Sequence, residues 1–137
     1  MSLFKEKDLI LFSVLLRLSI GSLFLGAAII KVQGGIDGNI SYYLSLFEKS
    51  IFPLFLVKLH ASLIMFVEFF LALWLFTGYK LKIAWIASSI TLISLAFGMI
   101  FTYKFDVTSD NYIYVLFCAL GILVSSYDKY QLGFKNG

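Results

Sequence analysis

The chain has 137 residues and a net charge of +3, with 61% hydrophobic, 18% aromatic and only 14% charged side chains, against about 45–50% apolar and about 25% charged in a soluble domain. A chain this small cannot hide such an excess inside itself, because folding still leaves a large share of its area exposed, so the composition calls for a bilayer as solvent. One Pro, ten Gly without a repeat and one Cys exclude collagen-like and disulfide-stapled chains, and singly scattered Lys residues exclude a nucleic-acid-binding stripe.

About 20 mostly apolar residues cross roughly 30 Å of hydrocarbon. Four stretches meet or approach that length, at 9–30, 54–77, 83–102 and 112–127. The expected fold class is all-α: an integral membrane four-helix bundle forming one domain over 1–137. The first stretch is interrupted only by Arg17. It is expected to stay as a mature helix, since its apolar run is too long for a signal peptide and no small-residue pattern closes it.

Residues 32–52 form the one long connection. Gln33-Gly34-Gly35-Ile36-Asp37-Gly38 is turn-rich. Ile40, Tyr43, Leu44 and Phe47 then recur at helical spacing, which predicts a short amphipathic helix over 39–49 lying in the membrane interface. Ser50 is placed to cap the second span, with Pro53 in its first turn. The later connections are tight: Gly78-Tyr79-Lys80, and 103–111.

Lys and Arg near segment ends set orientation. With the N-terminus inside, Lys5, Lys7, Lys80, Lys82, Lys129 and Lys135 lie on the inner side and Lys31, Lys49, Lys58 and Lys104 on the outer side. This bias predicts both termini to be cytoplasmic.

Arg17 and Glu68 are charges an ordinary membrane anchor would not carry, because an unpaired charge at mid-span costs at least about 2.5–3.5 kcal/mol. At about 1.5 Å per residue, Arg17 lies about 12 Å from the inner boundary and Glu68 about 14 Å from it. Matching depth predicts an Arg17–Glu68 ion pair. Ser13, Arg17, Gly21 and Ala28 share one side of the first helix, and Ala61, Ile64, Glu68, Ala72 and Leu75 one face of the second. Such a pair is either a structural staple or a polar site that meets a quinone head group or relays protons.

His60, near the outer end of the second span, is either solvated or a ligand contact at the bundle mouth. Cys118 reads as a small packing residue. Ala84, Ala87, Ser88, Thr91, Ser94 and Gly98 line one face of the third span as a helix-packing seam, together with Gly21 of the first. That face could instead line a narrow groove for lipid or quinone. Phe66, Phe69, Phe70 and Phe76 read as lipid-exposed bulk. The sequence shows no nucleotide-binding loop, CxxC, nucleophile elbow or paired-His motif, so neither a catalytic nor a metal-ligating set is expected.

Residues 16–31, LRLSIGSLFLGAAIIK, with their R…G..F…G…K pattern, resemble the opening helix of DoxX-like membrane proteins. Residues 68–79, EFFLALWLFTGY, resemble that superfamily's E…G..L..G segment. The order of elements also matches, over roughly 12–130. This resemblance implies a four-helix protein of a prokaryotic cytoplasmic membrane, with Arg17, Lys31 and Glu68 at the family's polar positions. Its relatives include the small subunit of a thiosulfate:quinone oxidoreductase and proteins of methylamine-dehydrogenase maturation. The family's closing segment carries a glycine-rich turn and a terminal Asp, which 125–133 does not reproduce. Maturation-type relatives carry a Cys pair where this chain has Phe105-Asp106-Val107-Thr108-Ser109-Asp110.

The expected function is an accessory subunit beside larger membrane proteins, with the bilayer itself and a second copy of the chain as further partners and no nucleic acid. The alternatives are a quinone-interacting subunit of a membrane oxidoreductase, with Arg17, Glu68 and His60 near the ring, and a small carrier or lipid-handling protein. No cofactor is fixed by the sequence; quinone is the one its polar groups suit.

Overall fold

The computed structural model describes residues 4–133. Among them four helices follow one another: α1 (Glu6–Phe47), α2 (Leu54–Thr77), α3 (Leu81–Ile100) and α4 (Phe105–Val124). A single 3-10 turn over Ser125–Tyr127 follows. All four are long and apolar enough to cross a membrane. At about 1.5 Å per residue, the 20-residue α3 and α4 each cover about 30 Å, the thickness of the hydrocarbon layer. Large apolar side chains face outward along their length, with Ile30 and Phe55 71% and Leu123 72% exposed. Phe66, Phe69 and Phe70 are exposed as expected, whereas Phe76 is half-buried over α1. Lys135, counted among the inner lysines, lies outside the described residues.

Glu6 and Asp8 occupy the first turn of α1, where negative charge suits the helix N-terminus. The helix then runs unbroken to Gly35, whose φ of 69° and ψ of 173° lie outside helical space in a region only glycine enters readily. Helical backbone resumes at once and continues to Phe47. The connection expected over 32–52 is therefore corrected at its start, where it shrinks to the single break at Gly35, because one glycine absorbs the whole change of direction. The short helix expected over 39–49 is present as the second of two helical limbs, beginning earlier than expected and ending at Phe47. Its buried residues Asn39, Tyr43 and Phe47 follow the amphipathic spacing read from the sequence.

Ser50 does not cap α2. Its hydroxyl donates to the Phe47 carbonyl and accepts from the Phe52 N–H, while Pro53 stands at the N-cap position without a side-chain cap. At its far end α2 stops at Gly78, which takes the left-handed conformation (φ 69°) and donates its N–H to Trp74 O, a glycine-terminated helix end. α4 begins seven residues before the expected 112. Its polar first turns concealed it: Thr108 Oγ1 and Asn111 Nδ2 donate to the carbonyls four residues back, both at 3.0 Å, so these side chains bond along their own helix.

α1 packs antiparallel to α2 and α3 to α4 as two close pairs. α1 also touches α4, and α2 against α3 is the loosest of the four helix pairs in close contact. One apolar core joins Ile20, Phe24, Leu71, Leu75, Trp85, Leu92 and Cys118. A second, at the kink end of the bundle, joins Tyr43, Phe47, Val57, Ala61, Ile64 and Met99. Close approach depends on small residues. A Cβ on Gly21 would stand 2.7 Å from the Phe76 ring, and one on Gly121 would overlap the Trp85 indole.

Candidate functional site

The contacts between α1 and α2 fix their register. Arg17 reaches Gly78, Gly21 lies under Phe76, Lys31 meets Glu68 and Asn39 meets Ala61. Arg17 therefore sits level with the end of α2, ten residues and about 15 Å of helix away from Glu68. The Arg17–Glu68 pair is corrected accordingly. Leu9 is not the level at which α1 enters the bundle, since α2 ends beside Arg17 and the preceding turns of α1 pack against residues after α4.

Each charge has a different partner. Lys31 Nζ donates to both oxygens of Glu68, at 2.8 Å and 2.7 Å, with the two side chains 17% and 3% exposed. This is a buried, bidentate pair inside the α1–α2 hairpin. Arg17 faces Asp128, Nε to Oδ2 at 3.6 Å, with both side chains buried. That separation is an ion pair rather than a hydrogen bond, and Arg17 Nε has no hydrogen-bond partner among the described residues. The remaining guanidinium nitrogens each reach Tyr130 O at 3.5 Å.

Asp128 is held from three sides. Ser13 Oγ donates to Oδ2 at 3.2 Å and the Tyr130 N–H to Oδ1 at 2.9 Å, with Arg17 as the third. Gln131 Nε2 donates to the carbonyls of Ser125 and Asp128, and the Leu132 N–H donates to Thr77 O. Residues 125–132 thus fold back as a polar closure over the α2–α3 turn. Gly78 makes room for it, because a Cβ there would overlap Arg17 Nη1 and press on Gln131. Glu6 and Lys129 meet at the exposed rim, 2.6 Å apart.

Two concavities lie at the kink end of the bundle and share Tyr43 and Met99 in their linings. The larger, about 540 Å³, opens between α2 and α3 toward the kink end and is overwhelmingly apolar. Its polar lining comes from Tyr43 and His60 on one wall and Thr91 and Ser94 on the other. Both hydroxyls already donate along their own helix, to Ala87 O and Thr91 O, which leaves them as acceptors. His60 stands edge-on to Tyr43, ring centroids 6.3 Å apart, and makes no hydrogen bond or ion pair among the described residues. The smaller concavity, about 470 Å³, lies at the kink of α1 and is lined by Lys31, Asn39, Tyr42, Tyr43 and Lys104 among apolar neighbours.

The seam read on α3 divides. Ala84 and Ser88 are fully buried in the core, whereas Thr91, Ser94 and Gly98 turn to the larger groove. Gly21 packs under Phe76. Cys118 is fully buried. Sequence reasoning placed Lys31 only as a family position and passed over Asp128, the partner of Arg17. It also passed over Asn39, whose Nδ2 donates to Ala61 O at 2.5 Å. Asp128 carried a usable signal: an acidic residue just past the last span could fold back on a basic residue near the start of the first. Among the described residues no three His, Cys, Asp or Glu side chains gather as a metal-ligand set. Compared with known protein families, curated proteins and solved structures, the chain matches none.

Proposed function

We propose that this chain is a DoxX-like accessory subunit of a prokaryotic cytoplasmic-membrane complex, and that it holds a lipid-soluble quinone in the α2–α3 groove. Both termini lie on the cytoplasmic side, and the second limb of α1 rests at the opposite membrane surface. One observation carries the ligand: His60, without a hydrogen-bonding partner among the described residues, lines an apolar groove between two membrane-spanning helices. The volume of about 540 Å³ lies within the roughly 300–1,000 Å³ usual for small-molecule pockets, which combine apolar walls with a few polar groups.

The residues present suit a quinone. Its carbonyls accept hydrogen bonds and the imidazole of His60 offers an N–H donor. Phe47, Phe52, Leu63, Val67 and Leu95 supply apolar wall for ring and chain. A bound quinone would supply two-electron redox capacity; the chain's own residues orient the ring and keep water from it.

The test is purification in mild detergent, followed by mass spectrometry of co-purifying subunits and titration with a short-chain quinone in nanodiscs. Saturable binding is expected, and His60→Leu should weaken it about tenfold, the equivalent of one hydrogen bond of roughly 1.4 kcal/mol. Absence of saturable binding, or an unchanged affinity in His60→Leu, overturns the quinone reading. Purification without stoichiometric partners overturns the subunit reading.

A further inference from the structure

We infer that the smaller groove, at the kink of α1, binds a phosphate group, and that a membrane lipid headgroup supplies it. This groove shares Tyr43 and Met99 with the α2–α3 groove, but its lysines line it alone, and the inference does not rest on the quinone reading. The inference starts from charge: Lys31 and Lys104 line the groove and no carboxylate does. Asp37, Asp106 and Asp110, the acidic residues nearest in sequence to these lysines, are exposed and lie outside its lining.

The two lysines are not equivalent. Lys31 is largely buried and committed to Glu68, yet those two contacts use at most two of its three N–H donors. Its orientation is thus fixed by the carboxylate behind it while a donor stays free. Lys104, at the N-cap position of α4, is exposed and forms no ion pair among the described residues. Tyr42, 53% exposed, adds a phenolic donor from the second limb of α1.

The shape points to a lipid as the source. Gly34 and Gly38, on either side of the kink, leave the groove floor bare, and Ala27, Ile30 and Val107 line it with apolar surface. A free anion has no use for such walls, whereas the glycerol and upper acyl carbons of a lipid do. Lys104 also lies in the short turn between two spans, where a headgroup sits and where a lysine gains about 1 kcal/mol, about fivefold in affinity, from anionic lipid.

The experiment compares wild type, Lys104→Gln, Lys104→Glu and His60→Leu by native mass spectrometry. Each is purified in neutral detergent and offered phosphatidylglycerol, phosphatidylcholine or inorganic phosphate alone. Retention of one phosphatidylglycerol per chain in preference to phosphatidylcholine is expected. Lys104→Gln should lower it about fivefold, Lys104→Glu should abolish the preference, and His60→Leu should leave it unchanged. Lys104 is exposed, so folding is not at issue, and an unaltered thermal midpoint checks this. Equal retention in wild type and Lys104→Glu overturns the site. Retention of inorganic phosphate without any preference for the anionic lipid overturns the lipid as its source. Loss of lipid preference in His60→Leu as well would merge the two grooves and overturn their independence.

Discussion

The Lys31–Glu68 pair gives the sharpest test of how the bundle is held together. Replacing Lys31 by Met removes the only cation that touches, among the described residues, a carboxylate that is 3% exposed, and an orphaned buried charge costs about 3–5 kcal/mol. Glu68→Leu is milder, about 1–2 kcal/mol, because the partly exposed ammonium of Lys31 can turn into the neighbouring groove on its long stem. The double variant Lys31→Met, Glu68→Leu leaves apolar groups facing each other. It should recover at least about 2 kcal/mol of the Lys31→Met loss, since buried pairs are often replaceable by apolar side chains. The resulting coupling energy, the recovered amount of about 2 kcal/mol plus the cost of Glu68→Leu, is at least about 3–4 kcal/mol, at or above the upper end for residues in contact. Arg17→Met with Glu68→Leu is the control and should be additive within about 0.5 kcal/mol, because the two sites lie about 15 Å apart along α2. Unfolding in mixed micelles, followed by Trp74 and Trp85 fluorescence, measures all five variants. Coupling below about 0.5 kcal/mol for Lys31 and Glu68, or a larger one for Arg17 and Glu68, refutes the pairing.

Other substitutions probe the remaining features. Asp128→Leu should release residues 125–132 and cost about 3 kcal/mol by leaving Arg17 unpaired, read as faster proteolysis after Tyr127 and a lower thermal midpoint. Gly121→Ala drives a methyl into the Trp85 ring and should cost about 1–3 kcal/mol with a changed near-ultraviolet spectrum. Gly26→Ala, which meets nothing within 4 Å, should be neutral or stabilising by up to about 1 kcal/mol. Gly35→Ala should cost about 1–3 kcal/mol and straighten α1, lengthening a spin-label distance between positions 30 and 45; an unchanged distance would show that the kink does not depend on glycine.

The four spans were legible because hydrophobic runs of sufficient length have one destination, and the buried faces of α1 and α2 followed from helical spacing. What misled was depth. Arg17 and Glu68 stand at similar distances from the nominal ends of their apolar runs, yet α1 and α2 do not begin and end at common levels. Gly34-Gly35 resembled a loop, and nothing local shows that a helix bends at one glycine and continues. The polar start of α4 was lost because Asp106, Asp110 and Asn111 lower hydropathy without lowering the capacity to form helix. Asp128 was missed because its partner lies 111 residues earlier, in a contact that no local pattern encodes.

The groove owes its existence to how the polar groups are distributed. Lys31 and Glu68, with Asn39 and Ala61, tie α1 to α2 by bonds that exist only between those helices. Arg17, Ser13 and Asp128 tie the start of α1 to the segment after α4. Between α2 and α3 there is no comparable bond, since Ser88, Thr91 and Ser94 donate within α3 itself. The turn Gly78-Tyr79-Lys80 holds these two helices together at one end, and Phe47 and Phe52 line the space between them at the other. A hydrogen bond across that gap would close it, so leaving the α3 hydroxyls satisfied by their own carbonyls keeps the groove open. Thr91→Leu should then narrow the groove and weaken quinone binding in the nanodisc titration while preserving every interhelical polar contact, which separates the groove's function from the bundle's stability.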